Sequence, residues 1–194
     1  MRRTVLVLAL LALVAAGCGN HPKTGTNSAI EGTAVADTEG IYLDVDNLKY
    51  QIEMSRYMNP NDVEDAEYLK GLPGGTDLDP GGKATWFGVW VRAQNVTDQP
   101  HPIADNWEIR DTLGKVYRPI PIDTNVNVFA LDKTQVVPPN TVVPLSSSAA
   151  GQGPIQGSLL LFKITNDSLQ NRPLELRFTN GQQGGGTGVY DLDV

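Results

Sequence analysis

Carboxylates are the most numerous groups in this sequence that could do chemistry, with 22 Asp and Glu residues against two His and one Cys. Some occur as Asp-x-Asp pairs, a spacing that puts two carboxylates on the same side of a strand, where they could bind calcium. The pairs are Asp44/Asp46, Asp77/Asp79 and Asp191/Asp193. Because none continues into the further oxygen ligands and glycine of an EF-hand loop, a solvated strand face explains them equally well. The sequence therefore predicts no metal site, and nothing selects two acids that would flank a sugar as in a glycosidase.

The groups that could serve as nucleophile, general base or phosphate cradle lack the neighbours that each chemistry needs. The serine run 146–148 lacks the Gly-x-Ser-x-Gly elbow of a serine hydrolase. His21 lies in a polar segment and His101 between two prolines, so neither has an obvious orienting partner. The glycine-rich stretch 184–188 is not followed by the helix and Lys-Ser/Thr of a phosphate-binding loop. We expect no catalytic residue, no cofactor and no enzymatic activity; a hydrolase with unidentified acids is the alternative.

The single cysteine, Cys18, ends a segment that has the features of a signal peptide. Arg2 and Arg3 form a short positive region, and residues 4–14 form an apolar run that is too short to span a bilayer. The sequence Leu-Val-Ala-Ala-Gly directly precedes Cys18 and resembles the lipobox of bacterial lipoproteins.

The lipobox resemblance implies that residues 1–17 are a lipoprotein signal peptide and that the Cys18 thiol carries a diacylglycerol. Such a lipid would anchor the protein to a bacterial membrane, and the domain would be extracytoplasmic, at the cell surface or in the periplasm. The alternative is a secretory signal cut at Ala-x-Ala, with Cys18 left as a free thiol.

The sequence Trp-Phe-Gly-Val-Trp-Val-Arg, residues 86–92, is the aromatic cluster that could contact a ligand or a partner. On a strand, positions 87, 89 and 91 point one way, and Trp86, Trp90 and Arg92 point the other way. One interpretation is a central strand, with the tryptophans buried beneath a helix and Arg92 capping the helix carboxylates. The other is an open platform on which Trp86 and Trp90 stack a sugar ring or a partner's aromatic side chain.

The composition fits one globular domain with tails. The formal net charge of −7 over 194 residues offers no basic stripe that could neutralise phosphates, so nucleic acid is excluded as a partner. Residues 18–40 are rich in Gly, Asn, Thr, Ser and Ala and predict a flexible tether after the lipidated cysteine. Residues 181–194 predict a Gly-rich loop and a C-terminal edge strand that pairs with the strand at 173–178.

Residues 41–180 contain short apolar or alternating runs separated by Gly, Pro, Asn and Asp clusters. The runs are 41–45, 48–54, 86–96, 107–111, 115–118, 135–137, 141–145, 158–164 and 173–178. They predict a mainly β fold, an antiparallel immunoglobulin-like β-sandwich. The change of phase at Asp46 and Asn47 predicts a turn or a bulge, and residues 111–114 predict a tight hairpin.

One short helical insert is predicted at 59–71. Asn59 could cap it, Pro60 suits the first helical position, and the acids that follow favour the positive end of the helix dipole. The side chains expected to face the sheet are Val63, Ala66 and either Leu69 or Tyr68.

Four stretches carry a resemblance to a known family. These are 94–100 (Gln-Asn-Val-Thr-Asp-Gln-Pro), the hairpin 107–117, the turn 137–141 and the apolar strand 159–164. Together they resemble the telokin-like immunoglobulin-fold domain of unknown function found in bacterial surface lipoproteins, over about residues 41–180. The helical insert and Pro139-Asn140 in place of Pro-Gly depart from the family pattern. Because the motifs are turns and core strands, the resemblance implies a fold and no catalytic residues.

These patterns indicate a lipid-anchored, extracytoplasmic and non-enzymatic module for protein interaction or an accessory role in the cell envelope. Its expected partners are the membrane, through the anchor at Cys18, and an envelope protein. The alternative is a glycan-binding module that uses an exposed Trp86/Trp90 platform.

Overall fold

The computed structural model describes residues 32–79, 81–181 and 185–192. The strands are β1 (Thr33–Ala36), β2 (Tyr42–Val45), β3 (Leu48–Met58), β4 (Ala84–Asn95), β5 (His101–Pro102), β6 (Asn106–Arg110), β7 (Val116–Tyr117), β8 (Val136–Val137), β9 (Thr141–Val143), β10 (Ser158–Thr165), β11 (Leu174–Thr179) and β12 (Thr187–Leu192). The helices are α1 (Val63–Tyr68), α2 (Ala149–Gln152) and a 3-10 helix (Asn166–Gln170). The predicted mainly β class is confirmed.

Two sheets form the sandwich. Sheet I has the order β1-β12-β11-β6-β7, and sheet II has the order β2-β3-β4-β10, with β9 paired to the end of β4. The β1–β12 pairing is parallel, and the other pairings in both sheets are antiparallel. In chain order, β3, β4 and β10 occupy the places of strands A, B and E of an immunoglobulin sandwich, and β6, β11 and β12 those of C, F and G. The sandwich is therefore immunoglobulin-like.

Alternating side chains of the two sheets form the core between them, which we call the sandwich core. Leu174, Leu176 and Phe178 of β11 point inward and are buried, as the period-2 pattern requires. The Phe178 ring centroid lies 4.6 Å from that of Tyr50 and 4.6 Å from that of Trp107. Aromatic contacts between the sheets thus fix how they face each other.

The predicted turns are present, but a bulge changes the face of part of β3. Asp46 and Asn47 join β2 to β3, and both have positive φ. A two-residue type I′ hairpin turn requires positive φ at both of its central positions. The 111–114 hairpin also forms, because the Gly114 N–H donates to the Asp111 carbonyl at 2.9 Å. Strict alternation over the run 48–54 would put Met54 on the same face as Ile52, but the register shifts between these two residues and turns Met54 to the other face.

Both ends of the described chain differ from the predictions. The predicted tether includes β1, in which Ala34 and Ala36 are buried. Such small side chains gave no strand pattern in the sequence. The segment forms a strand because it pairs with β12. The C-terminal strand pairs with β11 as predicted, but it is not an edge strand because β1 pairs with its other side. The predicted signal peptide 1–17, Cys18 and the part of the predicted tether up to residue 31 lie outside the described residues, as do 80, 182–184 and 193–194.

The helical insert is shorter than predicted and begins later. Asp62 rather than Asn59 is the N-cap, and its Oδ1 accepts hydrogen bonds from the backbone N–H groups of Glu64 and Asp65 at 2.9 and 3.1 Å. Val63 was expected to face the sheet, but its side chain is 85% exposed. A second helix, α2, directly follows the serine run and was not predicted.

Candidate functional site

Strand β4 is buried on both faces. Phe87, Val89 and Val91 belong to the sandwich core, whereas Trp86 and Trp90 lie on the outer face of sheet II. The two tryptophans are 1% and 0% exposed. The interpretation of a covered pair is therefore correct, and the open Trp86/Trp90 platform is wrong, so the glycan-binding alternative loses its stacking surface.

A second set of apolar side chains, the outer core, covers the tryptophans. Its buried members are Met58, Tyr68, Leu69, Trp86, Trp90, Ile155, Leu159 and Leu161, with Leu72, Ile120, Ile122 and Phe129 half-buried around them. The predicted helix contributes Tyr68, whose ring lies edge-on to Trp90 at a centroid distance of 5.2 Å. The segment 119–131 contributes Ile120, Ile122 and Phe129 and was missed from the sequence, because it has neither strand nor helix periodicity.

Backbone hydrogen bonds attach the segment 119–131 to the edge of β10. The Ile120 N–H donates to the Leu161 carbonyl at 2.7 Å, and the Leu131 N–H donates to the Leu159 carbonyl at 2.9 Å. In an immunoglobulin sandwich, strand D would lie at this edge. The irregular segment therefore covers an edge of sheet II that would otherwise be open to pairing.

A buried asparagine joins the segment 119–131 to helix α1. Asn127 is 2% exposed, and its Nδ2 donates to the carbonyls of Tyr68 and Lys70 at 2.8 and 3.0 Å. Its Oδ1 accepts the Phe129 N–H at 3.0 Å. One side chain thus satisfies backbone groups on both pieces of the cover, which fixes their relative position.

The two tryptophans differ in how their indole N–H groups are satisfied. Trp86 Nε1 donates to the Leu78 carbonyl at 2.8 Å. Trp90 Nε1 is buried and has no hydrogen-bond partner among the described residues. A buried donor without an acceptor is unfavourable, so Trp90 contributes to stability through its ring contacts rather than through its N–H group.

The cation that contacts α1 is Arg56, and the prediction that Arg92 would do so is wrong. Arg56 Nη2 donates to Asp65 Oδ1 at 2.5 Å, and the Arg56 guanidinium lies 5.3 Å from the Trp90 ring centroid. The hydrogen bond to Asp65 raises the pKa of Arg56 above its usual value. The bulge in β3 explains the difference, because it turns Arg56 toward the outer face.

Arg92 instead forms an ion pair on sheet II. Its Nη1 lies 2.8 Å from Oε1 of Glu53, the residue at the bulge, and both side chains are partly buried at 30% and 23% exposure. The ion pair lies on the same face as the tryptophans, near the end of β4 where β9 replaces β10 as the neighbouring strand.

A groove of about 390 Å³ lies beside Arg92; we call it the Arg92 groove. Its lining includes Arg92, Asn140, Thr141, Leu145, Ser146 and Gln156. The side chains of Asn140, Ser146 and Gln156 are exposed, and Leu145 is 51% exposed. The sequence indicated Arg92 as a candidate contact, but it gave no sign that the segment after β9 would form a groove with it.

The wall of the Arg92 groove is held by its own hydrogen bonds. Ser148 Oγ donates to the Leu145 carbonyl at 2.7 Å and accepts the Gly151 N–H at 3.1 Å. A Cβ at Gly151 would lie 2.0 Å from the Leu145 carbonyl oxygen, so this close approach requires glycine. The groove is thus preformed.

The structure also places together a polar cluster that the sequence did not reveal. The Tyr117 hydroxyl lies 2.7 Å from Thr165 Oγ1 and 2.6 Å from Ser168 Oγ, and Lys115 Nζ donates to Thr165 Oγ1 at 2.7 Å. Burial raises the pKa of Tyr117, but hydrogen bonds from Ser168, Thr165 and Lys115 outweigh it, so the pKa is lowered. Ser168 is 1% exposed. The cluster therefore joins β7 to the 3-10 helix and leaves no open reaction site around the serine.

The Asp-x-Asp pairs have separate roles. Asp44 pairs with Lys49 at 2.6 Å, and both Oδ atoms of Asp46 accept the Gly186 N–H. Asp77 and Asp79 accept backbone N–H groups within their own turn. Among the described residues, no group of three or more His, Cys, Asp or Glu side chains could hold a metal ion.

Comparisons with known proteins identify the fold. No protein-family model matches the sequence, and no curated protein matches it. The structure is similar to that of the yjhA protein from Bacillus subtilis, with 10% identity, a TM-score of 0.54, and coverage of 81% of this chain and 100% of that chain. An uncharacterized beta-sandwich protein from Clostridium difficile 630 is 14% identical, with a TM-score of 0.47 and coverage of 81% of this chain and 94% of that one. At 10% identity, the likeness to the yjhA protein shows the fold alone: the chain contains a β-sandwich domain of unknown function.

Proposed function

We propose that this protein is a lipid-anchored, extracytoplasmic β-sandwich that acts without catalysis as a protein-interaction or envelope accessory module. The observation that carries the proposal is the position of Cys18, directly after an apolar run that ends in small residues and follows two arginines. A diacylglycerol on Cys18 supplies two acyl chains, which is enough for stable attachment to a membrane.

The described domain supports a role in interaction. Within residues 32–79, 81–181 and 185–192, no helix is long and apolar enough to cross a membrane. Ser148 Oγ donates to the Leu145 carbonyl and accepts the Gly151 N–H within its own turn, and His101 Nε2 lies 2.8 Å from Thr97 Oγ1. Since the Arg92 groove is preformed and open, it is the surface that we assign to a partner.

Metabolic labelling with a radioactive fatty acid tests the anchor. We expect the wild-type chain to incorporate the label in a bacterial host, and Cys18→Ser to lose it and to retain residues 1–17. Thr24→Ser, a substitution of similar size outside the lipobox, is the matched control and should keep both the label and the cleavage. Equal labelling of Cys18→Ser and wild type would contradict the proposal.

A further inference from the structure

We propose that a pocket between strand β10 and the segment 119–131 binds a small, uncharged and mainly apolar molecule that carries a carbonyl oxygen. We call it the Leu161 pocket, because this oxygen would accept a hydrogen bond from the Leu161 backbone N–H. The inference goes beyond the proposed interaction function and concerns a different surface from the Arg92 groove. It follows from a buried donor, an apolar lining and the charge balance at the rim.

The buried donor is a backbone group at the edge of sheet II. The Leu159 N–H donates to the Phe129 carbonyl at 2.7 Å, and the carbonyls of Leu159 and Leu161 accept N–H groups from the segment 119–131. In an antiparallel strand the N–H and the carbonyl of one residue point to the same side, so the Leu161 N–H also points away from β4. Within the described part of the chain it has no hydrogen-bond acceptor, although Leu161 is 0% exposed. Buried backbone N–H groups without a partner are rare, so this one favours a ligand that brings an acceptor.

The Leu161 pocket lies against this edge of the strand. Its volume is about 270 Å³, and Leu159, Leu160 and Leu161 are among its lining residues. The side chains of Leu160 and Leu161 point to opposite faces of β10, into the sandwich core and the outer core. What the two residues share at the strand edge is the peptide group that joins them, and this group carries the Leu161 N–H. A molecule in the pocket would therefore lie next to the donor.

The rest of the lining is mainly apolar. The segment contributes Pro119, Ile120, Pro121, Ile122, Ala130 and Leu131. An apolar lining with few polar groups is typical of small-molecule sites. An apolar cavity of about 150 Å³ can hold benzene, so about 270 Å³ suits a molecule of about ten non-hydrogen atoms. Because proline fixes φ, Pro119 and Pro121 make this wall rigid before a ligand binds, which lowers the cost of binding.

The charges at the rim favour an uncharged ligand. Asp132 and Lys133 both line the pocket, and both side chains are exposed. They are adjacent in the chain and opposite in sign, so an anion would meet a like charge at Asp132 and a cation would meet one at Lys133. The carbonyl oxygen of a ketone, ester or amide avoids both and still accepts the Leu161 N–H.

Titration with three probes that have the same number of non-hydrogen atoms tests the proposal. Acetophenone carries the carbonyl, α-methylstyrene replaces its oxygen with a methylene group, and benzoate replaces its methyl group with a charged oxygen. Each is added to the full lipidated chain in lipid nanodiscs, with empty nanodiscs as the blank, while NMR follows the Leu161 amide. Thr124→Trp fills the pocket from an exposed lining position, and Val126→Trp is the matched control because Val126 is exposed and outside the lining.

We expect acetophenone to move the Leu161 amide proton downfield in a saturable titration, and α-methylstyrene to cause no downfield shift. Benzoate should bind at least about tenfold more weakly than acetophenone. Thr124→Trp should weaken acetophenone binding at least about tenfold, and Val126→Trp should stay within about twofold of wild type.

Three results would overturn the proposal. If acetophenone causes no saturable change at Leu161, the pocket takes up water only. If α-methylstyrene causes the same downfield shift, or if Thr124→Trp binds acetophenone as wild type does, the Leu161 N–H does not hold a carbonyl oxygen in this pocket. If benzoate binds more tightly than acetophenone, the site is one for anions at Lys133. The comparison of the probes uses the wild-type chain, so it does not depend on the folding of a variant.

Discussion

The two apolar regions on either side of sheet II are built in different ways. The sandwich core lies between two sheets, and regular ladders position its side chains from both directions. The outer core has a sheet on one side only, and irregular segments with a short helix form the other side. Pairing between neighbouring strands satisfies the backbone N–H and C=O groups of a sheet in a regular pattern. An irregular segment lacks this pattern, so its backbone groups need individual polar partners. Asn127 and the Arg56–Asp65 pair provide those contacts.

The difference indicates where the domain can change without losing its fold. Removing a side chain from the sandwich core weakens the contact between the two sheets, and the whole fold depends on that contact. Removing a contact of the outer core frees a segment of the cover while the sheets still face each other. We therefore expect global effects from the first region and local effects from the second.

Phe178→Ala should have the largest effect. The ring is 1% exposed and lies between Tyr50 and Trp107, so its removal leaves a cavity that the two sheets close only in part. We expect a loss of about 4 kcal/mol in the free energy of unfolding, measured by denaturant titration with near-ultraviolet circular dichroism. Phe129→Ala, in the half-buried rim of the outer core, is the comparison and should lose less than half as much. Equal losses would contradict the distinction between the two regions.

Asn127→Ala should lower stability by about 3 kcal/mol, because two carbonyls and one N–H lose their buried partner. Hydrogen exchange should rise in α1 and in the segment 119–131, while β6 and β11 keep their protection. Asn125→Ala is the control, since Asn125 is an exposed neighbour whose side chain donates to Asp123 Oδ1 at 3.0 Å. Uniform loss of protection across both sheets would show that the cover and the sandwich unfold together.

Acid should weaken the hairpin of sheet I through Asp111. Burial raises the pKa of this carboxyl, but hydrogen bonds from Ser168 and from the N–H groups of Lys115 and Leu113 outweigh it and lower the pKa. The unfolded chain therefore takes up the proton first. The stabilisation is present above the unfolded pKa of about 3.9 and is lost as the pH falls through the folded pKa.

Asp111→Asn removes this titration. The pH dependence of its unfolding free energy should be flatter on the acid side, by at most about 1.4 kcal/mol per pH unit. Denaturant titrations of wild type and variant from neutral pH to below pH ~4 measure the difference. Parallel curves would mean that the hairpin carboxylate does not contribute to acid sensitivity.

The smallest effect separates the two tryptophans of the outer core. Trp86→Phe loses the hydrogen bond to the Leu78 carbonyl, whereas Trp90→Phe removes a donor that has no partner among the described residues. Both lose similar packing, so we expect Trp86→Phe to cost about 1 kcal/mol more in the free energy of unfolding. If Trp90→Phe cost more, an acceptor for its indole N–H would have to exist.

Much of the fold could be predicted from the sequence, and much of the candidate site could not. Most of the strands, the two hairpin turns and the apolar character of both faces of β4 follow from local alternation and turn residues, whereas β1 and the cover over the tryptophans do not. Arg92 was recognised as a candidate contact, but the groove beside it depends on the 144–151 turn, whose close approach at Gly151 is set by tertiary packing. Likewise, only the structure shows that Arg56 rather than Arg92 reaches α1.

By itself, the sequence determined the strand periodicity of the sandwich, the apolar character of both faces of β4 and the lipobox pattern that ends at Cys18. The tertiary structure decided that β1 pairs with β12, that a bulge turns the second half of β3 to the other face, and that the segment 119–131 covers the tryptophans. The physical reason is the separation along the chain of the residues that interact. Periodicity and turn chemistry act between residues a few positions apart, whereas register, bulges and irregular covers depend on contacts between residues that are distant in the chain.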